Sequence, residues 1–122
     1  MTPWEQAILA LRLAAIDPAG LRGVIVASRM SPARDALMRT ASDLPLPIVR
    51  LHHAMGPHQL DGEVDVSATL GSGQVVMTRG LLARGASVLV LPMAERAGAY
   101  LSARLAQALD ADTGHLLLAL DE

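Results

Sequence analysis

Three short apolar runs, Gly23 to Ala27 (GVIVA), Ser87 to Leu91 (SVLVL) and His115 to Leu120 (HLLLAL), set the narrowest limits on how this chain can fold. Each is too short for an ordinary helix. The first reads as a buried strand, the second as a strand covered on both faces, the habit of parallel sheets, and the third as the last strand. Ile48 to Leu51 is a fourth candidate. Helix signals lie between them. Thr2-Pro3-Trp4-Glu5 combines a hydroxyl N-cap, a first-turn proline and a glutamate placed for a capping box. Trp4, Ile8, Leu11 and Ala15 follow on one helical face, until Asp17-Pro18-Ala19-Gly20 stops the helix. A second helix begins with Ser31 as N-cap and Pro32 in its first turn, presents Leu37, Met38 and Ala41, and breaks at Asp43-Leu44-Pro45-Leu46-Pro47. A third spans about Ala94 to Leu109, with Leu101, Leu105 and Ala108 inward and Asp110 to Gly114 as its end. The glycine-rich stretch His52 to Gly85 is the least regular, with a short helix or hairpin expected around Val66 to Leu70. Strands alternating with helices predict the α/β class: a mostly parallel sheet with helices on both sides.

Composition narrows the chemistry. The 122 residues amount to one domain, and 52% hydrophobic residues can build a core. Trp4 and Tyr100 are its aromatic residues, so that core is aliphatic. The ten basic residues are all arginine. Without lysine there is no Schiff base, no lysine general base and no standard P-loop. Without cysteine there is no disulfide, thiolate nucleophile or Cys-ligated zinc. A net charge of −2 with scattered arginines gives no reason to expect nucleic acid. No run is long enough to span a membrane and no signal peptide opens the chain, so the expected compartment is the cytoplasm. A sheet domain that stops directly after a strand, at Asp121-Glu122, reads as a fragment of a longer protein.

The strand, loop and helix from Gly23 to Leu37 is where a phosphate-binding loop would sit, because a helix N-terminus presents free N–H groups to an anion. Testing G-x-x-x-x-G-K-[ST] there gives Ser28-Arg29-Met30-Ser31-Pro32-Ala33-Arg34-Asp35, and every required position fails. Ser28 and Ala33 put Cβ atoms where backbone should approach phosphate, and Pro32 removes a donor. Arg34 keeps the charge of the missing lysine without its compact shape, and Asp35 sets a carboxylate where a metal-binding hydroxyl belongs. Two readings stay open: an ordinary capped helix, or an anion site made by Arg29, Arg34 and the helix end. Leu116 to Glu122 has the pattern of a Walker B strand, hhhhDE, whereas the more central Val88 to Leu91 ends in Pro92-Met93 and supplies neither acid.

Other clusters have bland alternatives. His52, His53 and His58 precede Asp61, Glu63 and Asp65, a formal supply of metal ligands. Adjacent histidines on an extended segment point to opposite faces, so a solvated loop is the preferred reading. Ser87 and Ser102 lie in structural contexts with no nucleophile elbow around them. Glu95-Arg96 reads as a charge pair at a helix start, or as a pair that faces a partner subunit.

Taken together these residues resemble the N-terminal AAA+ region of the D-type subunits of magnesium chelatase. The likeness rests on Leu13-Ala14-Ala15-Ile16-Asp17-Pro18 followed by Leu21-Arg22-Gly23-Val24-Ile25-Val26, on Leu44-Pro45-Leu46-Pro47, and on Leu60-Asp61-Gly62-Glu63-Val64-Asp65 with Leu70 and Gly73. Gly80-Leu81-Leu82-Ala83-Arg84 completes it. The resemblance implies a P-loop-NTPase-like (AAA+) core over residues 1–122, lacking the lid, proline-rich linker and integrin-I-like domain that follow in the family. The matching Walker A positions are Ser28, Ala33, Arg34 and Asp35, and the Walker B positions are Pro92 and Met93, all degenerate. On this alignment His115 to Leu120 is the sensor-1 strand, and the Asp121-Glu122 match to Walker B is coincidental. The implied function is a non-hydrolysing platform, partnered by the I-type and H-type subunits, for ATP-dependent insertion of Mg²⁺ into protoporphyrin IX in bacteriochlorophyll synthesis. The chain then holds no cofactor of its own, ATP and Mg²⁺ being handled by the complex. Arg79, Arg84, Arg96 and Arg104 are candidates to reach a neighbouring protomer's nucleotide. The alternative is an independent phosphate- or nucleotide-sensing domain that uses the Ser28 to Asp35 helix end.

Overall fold

A computed structural model of the chain describes residues 1–111 and 113–122. Four strands, β1 (Gly23–Ala27), β2 (Ile48–Arg50), β3 (Val88–Pro92) and β4 (Leu116–Asp121), form one sheet in the order β1-β4-β3-β2. Every pairing is parallel, with Ile25 opposite Ala119, Leu89 opposite Leu117, and Val49 opposite Leu89. The expected α/β class is thus the observed one.

Period-2 alternation along the central strands divides the core into two clusters. Val88, Val90, Leu116, Leu118 and Leu120 face Leu11 and Ala14 of α1 (Pro3–Ile16) and Leu37 and Ala41 of α3 (Pro32–Asp43). Leu89 and Leu91 face the other way, onto Leu101, Leu105 and Ala108 of α6 (Ala99–Asp110). The caps read from sequence form: Thr2 Oγ1 accepts from the Glu5 N–H at 3.2 Å, and Ser31 Oγ accepts from the Arg34 N–H at 3.2 Å.

Several elements differ from expectation. Among the described residues β1 pairs with β4 alone, and Ile25 of the GVIVA run, expected to be buried, is 73% exposed in this stretch of chain. Its apolar sequence reflects the face turned to α1, against which Val24 and Val26 pack. Asp17 both ends α1 and caps a one-turn helix, α2 (Pro18–Leu21), which the Asp-Pro break had hidden. The third helix starts at Ala99 and not at Ala94. Met93 turns the chain at φ 51°, a 3-10 turn spans Ala94–Arg96, and regular helix resumes only after Gly98. Ala94 and Ala97 pack on the core from that turn, which is why the apolar pattern looked continuous. The stop expected at Asp110 to Gly114 includes Asp112, which lies outside the described residues.

The stretch after β2 holds α4 (Pro57–Asp61), α5 (Val66–Ser72) and an isolated antiparallel bridge between Val64 and Met77, so of the two expected alternatives around Val66 to Leu70 the helix forms. This excursion is closed at its neck by Gly62 and Gly80. A Cβ on Gly62 would fall on the Thr78 carbonyl oxygen, and one on Gly80 would fall on the Leu60 carbonyl oxygen. No helix among the described residues is long and apolar enough to cross a membrane.

Candidate functional site

In an open parallel sheet, ligands bind outside the carboxyl ends of the strands, where successive connections leave toward opposite faces. Here β1 leads to α3 on one face and β3 leads to α6 on the other, with the end of β4 between them. The residues singled out from sequence converge there. The Ser28 N–H donates to the Asp121 carbonyl at 2.8 Å, extending the β1–β4 ladder by one bond. Ser28 Oγ donates to the Arg29 carbonyl at 2.7 Å, so the hydroxyl is engaged within the loop itself. Ser31 is extended (φ −164°, ψ 163°) and enters α3 through an ordinary cap with Pro32 and Ala33 in the first turn.

Arg34 is the one side chain of this set that is buried, with its side chain only 10% exposed. Its Nη1 donates to Glu122 Oε1 at 3.1 Å. A buried guanidinium needs such a countercharge, because an unpaired ion there would bear the full desolvation penalty. Glu122 is fixed in turn by its own N–H, which donates to Glu95 Oε2 at 3.0 Å. That backbone hydrogen bond holds the Glu95 carboxyl below its ordinary pKa. Glu95 therefore belongs to the 3-10 turn and to Glu122, not to a helix-start charge pair. Pro92 lies opposite Leu120 in the β3–β4 register, and Met93 is exposed, so no carboxylate follows β3 directly. The crevice among Met30, Arg34, Asp35, Arg50 and Pro92 has a volume of about 110 Å³. Nucleotide-sized pockets run to about 300 Å³ and above. Arg29 is exposed and makes no ion pair among the described residues.

The histidine and acid cluster is dispersed. His52 and His53 stand edge to face with centroids 4.2 Å apart, since the chain turns directly after Leu51 and does not hold them on opposite faces of an extended segment. His52 Nδ1 accepts from the Ala54 N–H at 3.1 Å, and His58 Nδ1 lies 3.4 Å from Glu63 Oε2. Asp61 accepts from Arg104 Nε at 2.8 Å and from the Tyr100 hydroxyl at 3.0 Å, and Asp65 caps α5. Among the described residues, no three His, Asp or Glu side chains are grouped to hold a metal. Of the four arginines proposed to reach outward, Arg104 is thus tied to its own chain. Arg79 and Arg84 line a shallow hollow beside His58 and Glu63, and Arg96 sits in the 3-10 turn.

One polar relay was missed from sequence. Ser87 and His115, both buried, share a 2.9 Å hydrogen bond between Oγ and Nδ1, and His115 Nε2 lies 2.9 Å from the Leu82 carbonyl. A carbonyl only accepts, so Nε2 carries the proton and Nδ1 accepts from the serine hydroxyl. The available signal was positional. Both residues immediately precede an apolar run, and Val88 pairs with Leu116, which sets Ser87 beside His115. Buried and without a carboxylate, the relay ties the 3-10 turn Leu81–Ala83 to the starts of β3 and β4.

No family model matches the chain. It is 48% identical over 120 residues to the magnesium-chelatase 60 kDa subunit of Cereibacter sphaeroides, covering 98% of this chain and 21% of that protein. It is 47% identical over 115 residues to the same subunit of Rhodobacter capsulatus, covering 93% of this chain and 20% of that one. In three dimensions it superposes with a TM-score of 0.73 and 18% identity on a chain of a magnesium chelatase complex between subunits BchI and BchD, described by single-particle cryo-EM. That superposition covers 94% of this chain and 51% of the other, and it establishes the AAA+ fold. The chain spans about a fifth of the length of the curated relatives it matches. With identity near one half over nearly every residue, and with the matching fold, this chain belongs to the BchD family of magnesium chelatase subunits.

Proposed function

We propose that this chain supplies a AAA+ core that does not hydrolyse ATP to a magnesium chelatase, serving as an assembly platform for the I-type subunit while the complex inserts Mg²⁺ into protoporphyrin IX. The observation that carries the reading is the state of the strand-end crevice. Phosphoryl transfer needs backbone donors and a cation around the β- and γ-phosphates and a carboxylate to hold Mg²⁺. Here Ser28 and Ala33 replace the glycines, Arg34 is engaged by Glu122, and β3 ends in Pro92-Met93. The family membership points to the I-type and H-type subunits as partners, with ATP and Mg²⁺ bound elsewhere in the assembly.

The competing reading, a sensor of free nucleotide at the Ser28 to Asp35 helix end, needs Arg34 available to the ligand. Its 3.1 Å pairing with Glu122 speaks against that. The chain is expected to co-purify with the I-type subunit and to turn over no ATP by itself. ATP hydrolysis by the isolated chain that disappears in Arg34→Ala would overturn the platform reading.

A further inference from the structure

We infer that Arg34, at the strand-end crevice, is the cation of an oxyanion site whose acceptor is the chain's own Glu122 carboxylate. The inference rests on reading this crevice as the place of a lost phosphate site, and it adds what now fills that place. Arg34, one-tenth exposed, has Glu122 as its ion-pair partner among the described residues. The partner is delivered by the fold: Glu122 follows β4 directly, and its N–H is pinned to Glu95 Oε2 at 3.0 Å, so the carboxylate is presented to Arg34 by the end of the strand. An arginine treats carboxylate and phosphate oxygens alike, as acceptors of charge-assisted hydrogen bonds. An internal carboxylate held in place loses no association entropy, so it outcompetes a free anion.

Size and charge agree. The crevice, at about 110 Å³, has room for a small tetrahedral oxyanion such as phosphate. Arg34 and Arg50 line the crevice with Asp35, and Glu122 pairs with Arg34 from its edge. Arg34 thus stands between the carboxylates of Asp35 and Glu122, with Arg50 beside it. Removing the charge of Glu122 leaves one positive charge in excess at Arg34, where an inorganic phosphate could replace it.

The test is a titration with inorganic phosphate, followed by amide chemical shifts and by the thermal midpoint, on the wild-type chain, Glu122→Gln, and Glu122→Gln combined with Arg34→Gln. Glu122→Gln is expected to bind phosphate about tenfold more tightly than wild type, the size of effect one charge-assisted hydrogen bond gives. The double variant is expected to lose that gain. Glu122→Asp keeps the charge but shortens its reach, and is expected to gain less in the same direction. It provides the reading if the glutamine variant does not fold. Phosphate affinity unchanged in both single variants, or a gain that persists without Arg34, would overturn the inference, whatever co-purification with the I-type subunit shows.

Discussion

At the strand ends, the loop from Ser28 to Ala33 contains no glycine, whereas the neck of the excursion between β2 and β3 keeps Gly62 and Gly80 at a crossing that admits no Cβ. Both places belong to the fold's most tightly routed backbone, but they face different things. A phosphate loop uses glycine so that its main chain can approach a ligand, and that requirement vanishes with the ligand. At the neck, main chain approaches main chain, and the requirement is set by the fold itself. Side chains such as Arg34 and Glu122 can therefore pair at the strand ends, while the glycines that hold the excursion closed have no substitute.

Breaking this comparison should be easiest at Gly62. The residue sits at φ 88°, ψ 176°, a region open in practice only to glycine, and an added Cβ meets the Thr78 carbonyl oxygen. Gly62→Ala combines backbone strain with overpacking and is expected to destabilise the chain by about 3–5 kcal/mol. Gly71, in α5, has open space around it, and Gly71→Ala is expected to stabilise by about 0.5–1 kcal/mol. Urea midpoints of the two variants decide the matter. Equal effects would show that the excursion tolerates local rearrangement and that the neck imposes no special constraint.

How much of this was legible in the sequence follows the same division. Side chains that repeat with a period announced themselves: Leu101, Leu105 and Ala108 lie buried as expected, and the four strands begin within a residue of their predicted starts. The start of α6 was missed because Ala94 and Ala97 pack from a 3-10 turn with the same composition as a helix. At the candidate site, the failed phosphate-loop pattern could be read residue by residue. The Arg34–Glu122 pair joins residues 88 positions apart, and only the sheet order brings them together.

The opposite end of the sheet sharpens the contrast, since Ser87 and His115 there are internal and closed to solvent. Ser87→Ala removes the donor to His115 Nδ1 and leaves a buried acceptor unmet, which is expected to cost about 1–2 kcal/mol. The urea midpoint should fall at constant m-value, since neither state changes its compactness. A change in phosphate response in this variant would contradict the separation of the two ends, because Ser87 and His115 stand at the starts of β3 and β4 and the crevice at their far ends.

The smallest effect is expected where α4 meets α6. Arg104 places Nε at 2.8 Å and Nη2 at 2.6 Å from one oxygen of Asp61, while the Tyr100 hydroxyl donates to the other at 3.0 Å. The hydrogen bond from Arg104 is the largest influence on this carboxyl. Together with a lesser one from Tyr100, it holds Asp61 below its ordinary 3.8 against an opposing push from burial. A carboxyl depressed by folding contributes stability that is present above its unfolded value and lost as pH falls through the folded one. The contribution should thus fade below about pH 4, and Asp61→Asn should lower the neutral-pH midpoint slightly and leave the midpoint in acid unchanged, which flattens that limb. Because the Asp61 side chain is 38% exposed, solvent and salt screen the pair, and the whole effect is expected to stay under ~1 kcal/mol and to shrink further at high salt. If Asp61→Asn instead costs as much as Gly62→Ala, then the neck is held by charge and not by the close approach of its backbones.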